Sequence, residues 1–179
     1  MTNLKSNQRG VFSIEFALLG VVFSTMLIFT ADIVVKLSVQ GKLDRLSYSL
    51  VNVIKERTQF YGKDNYDIDN KMVTDIYKIA TGSMQRTMGS YQASNVGGEF
   101  ELLTFDLNGK PSTTRISKGT GCSLGQTISQ QEDLSMVTSW GRRATLYRVT
   151  LCYETDNWAG PLFDEEFTTI QSSSLMMGR

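Results

Sequence analysis

An apolar run near the start of this chain constrains most of what the chain can fold into. Val11 to Ala31 (VFSIEFALLGVVFSTMLIFTA) contains one charged residue, Glu15. As a helix, at about 1.5 Å per residue, the run reaches across roughly 30 Å of hydrocarbon. It is long enough to span a membrane. The residues before it, 1–10, carry Lys5 and Arg9 and no acid, an asymmetry that keeps them on the cytoplasmic side and sends the remainder outward. A secretory signal peptide has a shorter apolar core, about 7 to 15 residues, and a small-residue exit site beyond it. This run is longer and has no clear exit. Glu15 is also foreign to such a peptide, because a carboxylate at the centre of a lipid-facing helix costs about 2.5 to 3.5 kcal/mol. Its place near the cytoplasmic end lowers that cost without making the residue idle.

The stretch RGVFSIEFALLGVV, Arg9 to Val22, resembles the type IV prepilin processing site, and especially its tight-adherence (Tad, Flp-pilus) branch. The resemblance rests on the basic leader, Gly10, the spacing of Glu15 and the unbroken apolar helix occurring together. It implies cleavage by a membrane prepilin peptidase at the Gly10–Val11 bond, which makes Val11 the new N-terminus. Glu15 then stands where the family has its glutamate, five residues beyond the cut, with Phe16 next to it in the processing and assembly segment. Glycine suits the position before the bond, having no side chain to obstruct a protease. The freed α-amine is a natural partner for the Glu15 carboxylate, in the same subunit or a neighbour, and would offset its burial in a filament. Apart from the resemblance, Gly10 reads as a loop residue and Glu15 as a charge reaching for the interface.

Hydrophobic residues at 41% and charged residues at 20% of 179 fit a folded chain. The 18 bases balance the 18 acids, and removal of residues 1–10 would take away two bases and no acid. Such a balance gives no electrostatic reason to expect a nucleic acid partner, and Arg142 and Arg143 form no basic stripe. The chain divides into a cytoplasmic leader at 1–10, a transmembrane half-helix at 11–31, an amphipathic continuation at 32–60, and an outward-facing head at 61–179.

Val39, Leu43, Leu46, Leu50 and Ile54 recur at helical spacing with Gln40, Lys42, Asp44, Arg45 and Asn52 between them. The first helix is thus expected to run on to about Thr58 and to stop near Gly62. A second helix is predicted from Asp69 to Ala80, with Val73, Ile76, Tyr77 and Ala80 on one face and Asp67 or Asp69 as its cap. The stretch from Gly82 to Gly98 is uninformative beyond a helical turn around Met84 to Met88.

From Glu99 the pattern turns to strands. Phe100, Leu102, Phe105 and Leu107 lead to a turn at Asn108-Gly109, and Thr113 to Ile116 return, with Pro111 restricting the return to a late start or a sheet edge. Ala144 to Tyr153 sets Leu146, Arg148 and Thr150 against Tyr147, Val149 and Leu151. Phe167 to Leu175 adds a last strand beyond Trp158-Ala159-Gly160-Pro161. The fold class is α+β: a long N-terminal helix, transmembrane then amphipathic, with a C-terminal antiparallel-sheet head packed on its outer part. The segment ATLYRVTLCYETDNW and the serines Ser172, Ser173 and Ser174 resemble the minor tight-adherence pseudopilin TadF, although the N-terminal motif is shared by its companions.

An even pair of cysteines in an outward-facing domain reads as one disulfide, Cys122 to Cys152. A zinc site needs more ligands, and the chain has no histidine. Gly121-Cys122-Ser123-Leu124-Gly125 matches the letters of a nucleophile elbow, but no histidine exists to serve as base and no apolar strand precedes it. Asp164, Glu165 and Glu166 read as a solvated turn rather than a glycosidase pair. Asp64, Asp67 and Asp69 lack the glycine-centred calcium loop. No catalytic residue, cofactor or metal is expected.

The resemblance implies a minor pilin or pseudopilin that supports assembly of a Tad pilus for surface adherence. Its implied partners are the prepilin peptidase, other minor and major pilins and the inner-membrane assembly platform. Its implied location is the bacterial inner membrane, single-pass with a cytoplasmic N-terminus and a periplasmic head, or the cell surface after assembly. A type II secretion pseudopilin and a membrane-tethered adhesion module are the alternatives.

Overall fold

The structure, a computed structural model, describes residues 9–61, 67–139, 141–156, 160 and 168–178. Helix α1 (Arg9–Tyr61) is followed by α2 (Asn70–Thr87) and by strands β1 (Val96–Phe105), β2 (Pro111–Gly119), β3 (Leu146–Glu154) and β4 (Thr169–Met177). Short 3-10 segments lie at Ala93–Asn95 and Ile128–Leu134. The strands form one antiparallel sheet in the order β2-β1-β3-β4. This is an α+β chain with a long apolar helix first and an antiparallel sheet after it. Residues 1–37 with 156–168 form one compact unit, and 38–155 with 169–179 form another.

In the second unit the heptad-like stripe becomes the core side of α1. Val39, Leu43, Leu50, Val51 and Ile54 are buried, and Leu46 packs against them. Each such side chain contributes about 1.5 to 3 kcal/mol on full burial. α2 adds Val73, Ile76, Ala80 and Met84, and the sheet adds Phe100, Leu102, Val149 and Leu151. Ser47, also fully buried, lets α1 approach β4 closely, where its hydroxyl meets Ser172 Oγ at 3.2 Å and Ser174 Oγ at 2.8 Å. Ser173 points to the other side of the sheet and accepts from Thr150 Oγ1 at 2.9 Å. The serine run is therefore split by the strand's two-residue period.

Several boundaries differ from expectation. α2 continues seven residues past Ala80 because Met84, fully buried, anchors its last turns in the core. That burial outweighs the roughly 1 kcal/mol penalty of a helical glycine at Gly82. Asp69 is the cap, accepting the Met72 N–H at 2.6 Å, whereas Asp67 accepts from Ile68. β1 starts at Val96 and uses Gly97, where a Cβ would meet Cys152 Sγ at 2.6 Å and the Gly121 carbonyl oxygen at 2.8 Å. β2 begins at Pro111 itself, which is tolerated because β2 is an edge strand. Asp106 closes the preceding turn, its Oδ1 accepting the N–H groups of Asn108 and Lys110 at 2.9 and 2.7 Å. The expected stop at Gly62 and the residues Asp64, Trp158, Ala159, Pro161, Asp164, Glu165, Glu166 and Phe167 lie outside the described residues.

Candidate membrane and assembly elements

Among the described residues, one helix is long and apolar enough to cross a membrane. Its large side chains from Phe12 to Leu37 are all exposed, including Phe12 at 72%, Phe16 at 69% and Leu27 at 69%. Water cannot be the intended surroundings of such a surface, which suits lipid tails or neighbouring helices equally. Three hydroxyls on it are already satisfied: Ser24, Thr25 and Thr30 donate to the carbonyls of Gly20, Val21 and Met26 at 2.7 to 2.9 Å. Bonding back to the fourth residue before lets these side chains sit in hydrocarbon without orphaned polar groups.

The Gly10–Val11 bond lies within α1, at the start of the described residues. Glu15 comes one turn later, exposed and without an ion partner among the described residues. Phe16 stacks on Phe12 with ring centroids 6.4 Å apart. At the other end of the run, Asp32 takes the Lys36 ammonium at 2.6 Å, and both side chains are largely covered. The acid-before-base spacing of four residues was a legible signal for this pair that sequence reasoning left unused.

The sheet face turned away from the helices holds a buried polar layer. Glu99 and Glu101 alternate with Phe100 and Leu102 along β1, a pattern that ordinarily marks a solvated face, yet both are 2% exposed. Glu101 stands directly opposite Arg148 and pairs with its guanidinium. Arg148 also donates to the Gln126 carbonyl at 2.7 Å. Glu99 accepts from Arg115 Nε at 2.9 Å and from Ser117 Oγ at 2.6 Å. Residues 120–135 roof this layer, with Ile128 fully buried on Leu103 and Leu146 and the capping box at Thr127 and Gln130 opening the 3-10 segment.

Cys122 and Cys152 are joined, their Cα atoms 5.7 Å apart, and fasten the roof to β3. Closing 30 residues restricts the unfolded chain by about 3.6 kcal/mol in the loop-entropy account. A Cys122→Ser/Cys152→Ser variant is expected to lose about 2 to 4 kcal/mol in urea unfolding. Hydrogen exchange should rise first in 120–135, and unchanged protection there would contradict the fastening role.

Burial alone would push the Glu99 carboxyl up. The hydrogen bonds from Arg115 and Ser117, the Arg115 charge and the Cys122 N–H together outweigh it, so the group titrates below the ordinary glutamate range. A carboxylate with a depressed folded value adds stability above its unfolded value, near 4.3, that is lost as pH falls through the folded value. Thermal unfolding between pH 7 and 3 should therefore show an acid-side loss that Glu99→Gln flattens. An identical slope in that variant would rule out Glu99 as its source.

A long apolar helix with a carboxylate one turn inside it, followed by an antiparallel-sheet head, is the arrangement expected of a pilin-like subunit. A family model described as putative tight adherence pilin protein F (TadF) matches residues 3–179, and the chain belongs to that family. It is accordingly a minor pilin or pseudopilin of Tad pilus assembly, structural rather than catalytic. No curated protein and no solved structure matches it.

Proposed function

We propose that the chain is made as a prepilin, is held in the bacterial inner membrane by residues 11–31 with its head in the periplasm, and is trimmed between Gly10 and Val11 before it joins pilus assembly. The corresponding domain limits are leader 1–10, membrane half 11–31, amphipathic half 32–60 and head 61–179. The observation that supports the reading best is the exposed apolar surface from Phe12 to Leu37, with Glu15 near its start and the paired Asp32 and Lys36 near its end. Lipid shields that surface before assembly, and helix-to-helix packing replaces lipid afterwards. After the cut, the Val11 amine sits one helical turn from Glu15, close enough for a charge pair within one subunit or between two.

The partners are then the prepilin peptidase, the major and minor pilins of the same system and its inner-membrane platform. Deleting the gene and restoring the full chain tests the reading. Pilus number and surface attachment are expected to fall in the deletion and return with the chain, and cross-linking should recover tight-adherence companions. Normal piliation without the chain, coupled to a defect in protein secretion, would favour a secretion pseudopilin instead.

A further inference from the structure

Where the β1–β2 turn meets the paired segments 136–138 and 142–144, a small hairpin, a half-open cleft of about 750 Å³ lies among Phe105, Leu107, Thr138, Arg142 and Arg143. That volume is within the usual range of binding clefts. Arg143 is loosely held, its guanidinium 5.1 Å above the Phe105 ring centroid and 3.9 Å from the Glu132 carboxylate. The Arg142 guanidinium has no hydrogen-bond or ion-pair partner among the described residues. Leu107 in the cleft is 84% exposed, and on the hairpin Met136 and Val137 are 68% and 65% exposed.

The hairpin also offers backbone. Val137 opposes Arg143 in a pair flanked by the bonds from Thr138 N–H to Arg142 O and from Ala144 N–H to Met136 O. In that type of antiparallel pair the residue's own N–H and C=O point away from the hairpin. Among the described residues, neither group of Val137 has a partner.

We propose that this cleft and hairpin edge bind an extended segment of another polypeptide that carries an acidic side chain beside an apolar one. The two guanidiniums supply forked donors for a carboxylate, and Phe105 and Leu107 supply the apolar contact. The free groups of Val137 supply main-chain pairing of the strand-addition kind. Local charge selects a single carboxylate over a broadly anionic surface. Asp106 and Glu132 lie beside the arginines, so the attraction that draws a basic patch to anionic lipid is largely cancelled. Nucleic acid is disfavoured on the same ground. The inference concerns the head and does not depend on cleavage at Gly10.

The test uses the full chain in neutral phosphatidylcholine nanodiscs, panned with a random heptapeptide library alongside an Arg142→Gln/Arg143→Gln variant. Circular dichroism and an intact disulfide verify the fold. Peptides with Asp or Glu next to an aliphatic or aromatic residue should be enriched on the parent and not on the variant. A synthetic selected peptide should lose at least about tenfold in affinity when its acid becomes an amide, and again with Leu107→Ser, as expected for a charge-assisted contact and a buried apolar one. If the double variant folds poorly, Arg142→Gln alone gives the same reading. No enrichment, enrichment without acids, or equal enrichment on parent and variant would overturn the proposal. Saturable binding of glycerol phosphate, the lipid-headgroup probe, that survives Leu107→Ser would overturn it in favour of a membrane surface.

Discussion

Replacing Arg148 by methionine is expected to cost the head about 3 to 5 kcal/mol, the usual consequence of stranding one member of a buried ion pair. Glu101 would be left beneath the 120–135 roof with a side chain only 1% exposed and no cation opposite it. The guanidinium's bond to the Gln126 carbonyl would go as well, loosening the roof at a second point. The loss is not simply of a bond but of the compensation for removing a carboxylate from water. Urea unfolding of the full chain in micelles measures it. Converting both partners, Glu101→Leu with Arg148→Met, should recover most of the stability, because an apolar pair of similar volume needs no such compensation. If the single variant loses under about 1 kcal/mol, the layer is wetter than its geometry indicates and the roof is not braced by charge.

The second large effect is on assembly. Glu15→Gln should still insert and be trimmed, since the amide is neutral and lies beyond the cut bond, but filaments should form poorly. An amide keeps the shape of the carboxylate and cannot form the charge pair with the Val11 amine. Inside an apolar bundle that pairing would offset the cost of a charged N-terminus. Pilus counts and a processing immunoblot from the same cells separate the two steps. Normal pilus numbers with Glu15→Gln would remove the pairing, and failure of trimming would relocate the residue's role to the peptidase.

Periodic apolar residues made most of the fold legible in the sequence. The stripe from Val39 to Ile54 gave the core side of α1, and the alternation around Val149 gave the two faces of β3. Elements fixed by long-range burial were harder to read. The extension of α2 depends on the tertiary environment of Met84, and the early start of β1 on backbone packing at Gly97, neither of which has a local signal. The burial of Glu99 and Glu101 had no local signal, because alternation reports which residues share a face and not what covers that face. A loop supplies the cover here, and its contribution became visible only with Arg115, Ser117, Gln126 and Arg148 in place. For the membrane element, Gly10, Val11 and Glu15 fall on α1 in the structure, and their proposed part in processing and assembly rests on their spacing in the sequence.

The central claim is that a protease frees an amine at Val11 on a helix still embedded in lipid. Intact-mass and N-terminal sequencing of membrane-derived protein, from cells with and without the prepilin peptidase, tests it most directly. The expected result is a chain beginning at Val11 when the peptidase is present and at Met1 when it is absent. A chain that keeps residues 1–10 in both would contradict it.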